Sequence, residues 1–289
     1  MKLRLIFIVA IILSFFSQSV ISADITATVN HYGVKKIVIE GGIIKGDYEK
    51  FMEAVLKSGY DTKGVLIASS GGSVDEAMKI GRLIRALKFS TEGPSGDINE
   101  PLCIPFLKNK ANCVCMSSCV LIWLSGVHRF GDHLSIHRFV INRNHLKGLS
   151  MNKAAFAAKL IKKETDKYML EMDTPKDLIE RIDNIPSNRM ETLDEEYIDK
   201  NLDGYSKSYQ EWLVSKCGDE SKLGELHNNS ENNKKGEIFE LIKPIYKCKD
   251  DAVYKEKVKG YYPAIKEGMK AINMQFVSKD SLTYKFHKF

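Results

Sequence analysis

The residues with the types and spacing to do chemistry crowd into one stretch, 113–137. It opens Cys-Val-Cys-Met-Ser-Ser-Cys-Val-Leu-Ile-Trp-Leu-Ser-Gly and ends on Ser-Ile-His. Ser117 and Ser118 stand just before an unbroken apolar run, Val120 to Leu124, which is a buried element. A serine at the entrance to a buried helix has its Oγ near the positive end of the helix dipole, beside backbone N–H groups able to hold an anionic oxygen. His137 follows a short apolar run, and an imidazole within reach of a serine hydroxyl is the minimal activated nucleophile. A second chemistry competes for the same residues. Cys113, Cys115, Cys119, His128, His133 and His137 offer thiolates and imidazoles, including a His-x3-His pair, at spacings that zinc could use. Against that reading, His133 and His137 fall on a strand region, where residues four apart do not share the helical face that makes such a pair useful.

The elements around this stretch set where its groups can sit. Residues 36–40, Lys-Ile-Val-Ile-Glu, form a β-branched run that stops at Gly41-Gly42. From Asp47 the apolar residues Phe51, Met52, Val55 and Leu56 recur at helical spacing until Ser58-Gly59. Residues 64–69, Gly-Val-Leu-Ile-Ala-Ser, are apolar enough for a strand covered on both faces. Ser69-Ser70-Gly71-Gly72-Ser73 then turns the chain into a helix, with Ser73 and Glu76 spaced as a capping box. Such a corner lets backbone amides approach a ligand closely, although an isolated Gly-Gly is more often only a tight turn. Residues 92–114, with Gly93, Pro94, Gly96, Pro101 and Pro105, read as a long surface loop. Ser150 caps a helix to about Met172, and Thr174 with Pro175 at the first position starts another to about Asn184.

Cationic Lys2 and Arg4, an apolar block from Leu5 to Phe16 and a small, polar close from Ser17 to Ala23 follow the plan of a secretory leader, with cleavage near Ser22 or Ala23. The expected organisation is leader 1–23, main domain 24–204 and a C-terminal appendage 205–289. The alternative is a membrane anchor kept at residues 5–20, for which the apolar block is short. Without the leader the formal charge falls from +6 to +4, and no cluster of Lys and Arg with interleaved aromatics marks a nucleic-acid face. Six cysteines in an exported chain can pair completely. Cys217 and Cys248 stand together in the C-terminal third and are paired here. Cys103, Cys113, Cys115 and Cys119 crowd the serines with their connectivity open, and a Cys115–Cys119 bridge across one helical turn is geometrically demanding. Beyond Gly204 the chain is rich in Lys, Tyr and Asn, with two helical pieces around Cys217 and Cys248 and a polar loop from His227 to Gly236.

Read together, the Ser69-Ser70-Gly71-Gly72-Ser73-Val74 corner, Ser117 nine positions before Gly126, and His137 resemble the proteolytic subunit of Clp protease. They are still more similar to the exported ClpP-like proteins of bacteria, over about residues 36–204. The resemblance implies an α/β fold of stacked ββα units, the ClpP/crotonase superfold, often assembled into trimers or larger rings. It implies Ser117 as nucleophile and His137 as general base. The oxyanion hole would come from backbone N–H groups at the Gly71-Gly72 turn and Ser118. Before Thr192-Leu193-Asp194-Glu195-Glu196, where these enzymes carry an acid, stands Asn188, and Ser70 replaces the usual Pro before the glycines. An Asn can orient an imidazole through its carbonyl oxygen but stabilises the imidazolium less than an Asp.

The expectation is an exported serine hydrolase acting on peptides or proteins, requiring no cofactor, no metal and no nucleic acid, in the periplasm or secreted. A non-catalytic ClpP-like scaffold of the cell envelope, presenting 205–289 to a protein partner, is the rival class, since fold alone does not establish activity.

Overall fold

The computed structural model describes residues 22–96, 101–103, 107–108, 113–139, 148, 150–186, 188–230 and 232–270. The leader and the anchor alternative therefore lie outside the described residues, apart from Ser22 and Ala23. So do the end of the appendage and parts of the 92–114 loop.

The chain is mixed α/β. Strands β1 (Asp24–Val29) and β2 (Lys35–Glu40) form an antiparallel hairpin, and α1 (Asp47–Ser58) follows. The buried Asp47 carboxylate accepts the Ile44 N–H at 2.8 Å and the Ser22 hydroxyl at 2.7 Å, which ties the first described residues to the start of α1. Next come β3 (Gly64–Ala68), α2 (Val74–Ala86), β4 (Ser90–Glu92), the short antiparallel pair β5 (Ser95–Gly96) and β6 (Pro101–Leu102), and β7 (Cys115–Met116). After them run α3 (Ser118–Leu124), β8 (His128–Phe130), β9 (Leu134–Ile136), α4 (Met151–Glu171), α5 (Lys176–Asn184) and β10 (Glu191–Thr192). The chain closes with α6 (Glu195–Asn201), β11 (Gly204–Tyr205), α7 (Lys207–Cys217), α8 (Ser221–Asn229) and α9 (Asn232–Lys270).

A six-stranded sheet has the order β1-β2-β3-β4-β8-β11, parallel from β2 to β8 and antiparallel at both edges. Every residue of β3 is buried, as its apolar run requires. Ile37, Ile39, Val65 and Ile67 face the main core with α1, α2 and α3, whereas Val38, Leu66 and Ala68 form a smaller cluster on the other face with Leu107. A second sheet, β10-β9-β7, joins the first through β3, because Ser69 continues that strand as a parallel bridge to Cys115.

All six cysteines are paired, Cys103 with Cys113, Cys115 with Cys119 and Cys217 with Cys248. The first closes part of the 92–114 segment, which begins on the last residue of β4 and holds the β5-β6 pair where only loop was expected. Two further expectations change. The 227–236 stretch is helical to Asn229 and resumes in α9 at Asn232, so it is a break between helices rather than a loop. Pro175 is itself the cap of α5, one position before the place assigned to it from sequence. The capping box at α2 is half formed. Ser73 Oγ accepts the Glu76 N–H at 3.3 Å, but the Ser73 N–H is taken by Ile43 O, and the Glu76 carboxylate instead accepts N–H groups of Gly46 and Tyr48 at the start of α1.

The C-terminal half of α9 packs on α1 and α2. Its buried Tyr261, Ile265 and Met269 recur every four residues and join the same core as α1 and α2. Lys257 is buried on the same face, donates to Thr62 O and stands 4.7 Å from the centre of the Phe89 ring. Burial pulls its ammonium down to about 7, with Lys63 adding to the effect and Asp61 opposing it. Its unfolded value is near 10.4, so between about pH 7 and 10 the unfolded chain holds more protons and stability rises with pH across that window. Lys257→Met is expected to raise stability by roughly 1–3 kcal/mol at pH 6 and to flatten the rise above pH 7. Calorimetric scans of both proteins from pH 6 to 10 check this, and parallel pH profiles would contradict it.

Candidate active site

Strand register brings the reactive residues together. Ser69, at the end of β3, pairs with Cys115 in parallel, so two residues further along each chain Gly71 comes against Ser117. The contact is close: a Cβ on Gly71 would lie 2.8 Å from Ser117 Cβ and 3.0 Å from Ser118 N. On its other side β7 pairs in parallel with β9, Cys115 with Leu134 and Met116 with Ser135, and the Ser117 N–H donates to Ser135 O at 2.9 Å. That register sets Ser117 beside the end of β9, where His137 follows.

Ser117 Oγ and His137 Nε2 are 2.8 Å apart, and both residues are half-buried. His137 Nδ1 lies 2.9 Å from the backbone carbonyl oxygen of Arg138. A carbonyl can only accept, so Nδ1 carries the proton and Nε2 presents its lone pair to the Ser117 hydroxyl. Ser117 has φ 56° and ψ −123°, a conformation rare for a residue with a side chain, between a two-residue strand and a seven-residue helix. Such strain persists only where surrounding structure imposes it. Here the helix behind it is wholly buried, and the Cys115–Cys119 disulfide spans the turn with both cysteines at 0% exposure. Arg85 from α2 holds the far end of α3 by donating to Leu124 O at 3.1 Å and Ser125 O at 2.9 Å, a cation placed on C-terminal carbonyls.

The amides of the corner are not equivalent. The Gly71 N–H, expected in the oxyanion hole, donates to Ser69 Oγ at 3.0 Å within its own turn. Among the described residues the N–H groups of Gly72 and Ser118 donate no hydrogen bond. Ser118 contributes no hydroxyl chemistry, since its side chain is fully buried and unpartnered beside Ser117.

Asn188 is not brought to His137. It lies in the exposed turn between α5 and β10 and makes no hydrogen bond among the described residues, while Nδ1 is served by Arg138 O. Sequence reasoning missed the carbonyl because any residue type could supply it. The zinc arrangement does not assemble either. Cys113, Cys115 and Cys119 are in disulfides and cannot be thiolate ligands. His133 Nε2 bonds Gly96 O, and His128 packs against Phe130 and Tyr205. Among the described residues no group of three or more His, Cys, Asp or Glu converges as a metal site, and no helix is long and apolar enough to cross a membrane.

No family model matches the chain, and no curated protein matches its sequence.

Proposed function

We propose that this protein is an exported serine hydrolase with a ClpP/crotonase-like fold, acting on peptide bonds. The observation that carries the reading is the 2.8 Å contact between Ser117 Oγ and His137 Nε2 at a strained turn. In the proposed reaction Ser117 Oγ attacks the carbonyl carbon as its proton passes to His137 Nε2, and the tetrahedral oxyanion is held by the N–H groups of Ser118 and Gly72. Each such donor is typically worth about 3 kcal/mol of barrier. The imidazolium then gives that proton to the leaving amine, and water repeats the sequence to release the acyl group. Arg138 O orients the imidazole without supplying the negative charge of a carboxylate, so this is a Ser-His dyad supported by a backbone dipole. Three disulfides support an oxidising compartment, the periplasm or the exterior, and the trimer or larger ring implied by the resemblance belongs to the same proposal.

A non-catalytic scaffold is favoured by one observation, the absence of a carboxylate at His137 Nδ1 among the described residues. Treating the disulfide-intact protein with a fluorophosphonate probe decides between them. A single adduct that maps to Ser117 by peptide sequencing is expected. No adduct, or an adduct elsewhere, would favour the scaffold.

A further inference from the structure

At the β10 edge of the second sheet, across β9 from β7, lies a cavity of about 510 Å³, lined by Arg181, Ile185, Pro186, Arg189, Met190 and Glu191. Its place follows from the second sheet. β10 runs antiparallel to β9 with Glu191 opposite Ile136, so Met190 and Arg189 leave the ladder where His137 does. The two arginines of the cavity differ. Arg181 donates to Glu191, lies 3.9 Å from Asp194 and stacks on Tyr197, so its charge is already answered. Arg189 is exposed, and its guanidinium has no hydrogen bond or ion pair among the described residues. Arg138, next to His137 in the chain, is likewise exposed and without a side-chain hydrogen bond or ion pair among the described residues.

The direction of the chemistry says which part of a substrate would meet them. A base that takes the proton from Ser117 must return it to the leaving amine, so the leaving portion of a peptide is bound on the His137 side. A guanidinium there presents a planar fork of donors that matches a carboxylate, and burying neither partner alone keeps the contact favourable. A cavity of this size admits one or two side chains. We infer that Arg189, supported by Arg138, selects substrates with a carboxylate in the leaving portion, either an acidic side chain or the free C-terminus of the peptide. The term "leaving portion" rests on the hydrolase reading; recognition of the carboxylate does not.

The test uses full-length, disulfide-intact Ser117→Ala protein, which binds without turnover. Fluorescent alanine hexapeptides are compared in twin pairs, Asp against Asn at each position in turn and C-terminal free acid against C-terminal amide, by anisotropy. The acid member of one pair should bind roughly tenfold to a hundredfold more tightly than its neutral twin, the range of a charge-assisted hydrogen bond. Which pair responds separates an acidic side chain from a free C-terminus. Arg189→Gln should bring that ratio close to one, and Arg189→Glu should invert it. Equal binding of every pair, no binding of any peptide, or a ratio untouched by both substitutions would overturn the inference. If acid selectivity is present while fluorophosphonate fails to label native Ser117, the carboxylate site stands and the hydrolase reading falls.

Discussion

Ser117→Ala, His137→Ala and the double variant are expected to lose peptide hydrolysis by about the same factor, roughly 10³-fold or more, because the two residues act as a unit. With alanine at 117 the imidazole has no nucleophile to activate. With alanine at 137 the hydroxyl keeps its proton at neutral pH and attacks poorly. Removing the second member of the pair therefore costs little once the first is gone, and the residual rate reflects the Ser118 and Gly72 amides. The measurement is kcat/KM on one peptide for the three variants, together with the rate of fluorophosphonate labelling of His137→Ala. If His137→Ala labels as fast as the native protein, the 2.8 Å contact does not activate Ser117. If the double variant loses the product of the single losses, the two residues act independently.

Gly71→Ala is expected to slow labelling by more than a hundredfold and to destabilise the fold by roughly 3 kcal/mol. Two effects combine at this position. The backbone has φ +90°, which a side chain adopts at a cost, and the new Cβ would lie 2.6 Å from Met116 O and 2.8 Å from Ser117 Cβ. Neither neighbour is a flexible tip. Met116 is held in β7 between Ser69 and β9, and Ser117 is pinned through its N–H to Ser135 O. The displacement must therefore pass into the turn that aims Oγ at His137, and a misplacement near 1 Å at a reacting atom costs about a hundredfold. Gly33→Ala separates the two effects, since Gly33 also has positive φ, +76°, but a Cβ there meets nothing within 4 Å. It should cost only about 1 kcal/mol and leave labelling at the native rate. Equal labelling rates for the two alanine variants would mean that contact at Gly71 does not position the serine.

Much of the frame is legible in the residues. The β-branched run at 36–40, the helical spacing from Asp47 and the wholly apolar 64–69 correspond to β2, α1 and β3, because their burial patterns are local and repeat with the period of the element. The pairing of Cys217 with Cys248, expected because these two stand together in the C-terminal third, likewise matches a disulfide. The break at 227–236 misled because polar residues satisfy an exposed helix as readily as a loop, and α8 has no buried residue at all. The half-formed capping box has a different cause. Ile43 O takes the Ser73 N–H, and Glu76 accepts from the amides of Gly46 and Tyr48, partners 28 to 30 residues away that no local motif can reveal.

By itself the sequence determined which residue types were available for chemistry and which elements carry them, since side-chain identity and hydrophobic period are properties of the chain. Tertiary structure decided the rest. Parallel pairing of Ser69 with Cys115 and of Met116 with Ser135 converts positions far apart in sequence into the contact between Gly71, Ser117 and His137. Asn188 stays in the exposed turn before β10 while Nδ1 takes the carbonyl of the adjacent Arg138, because a hydrogen-bond partner is chosen by distance and direction, and a backbone oxygen is present at every residue.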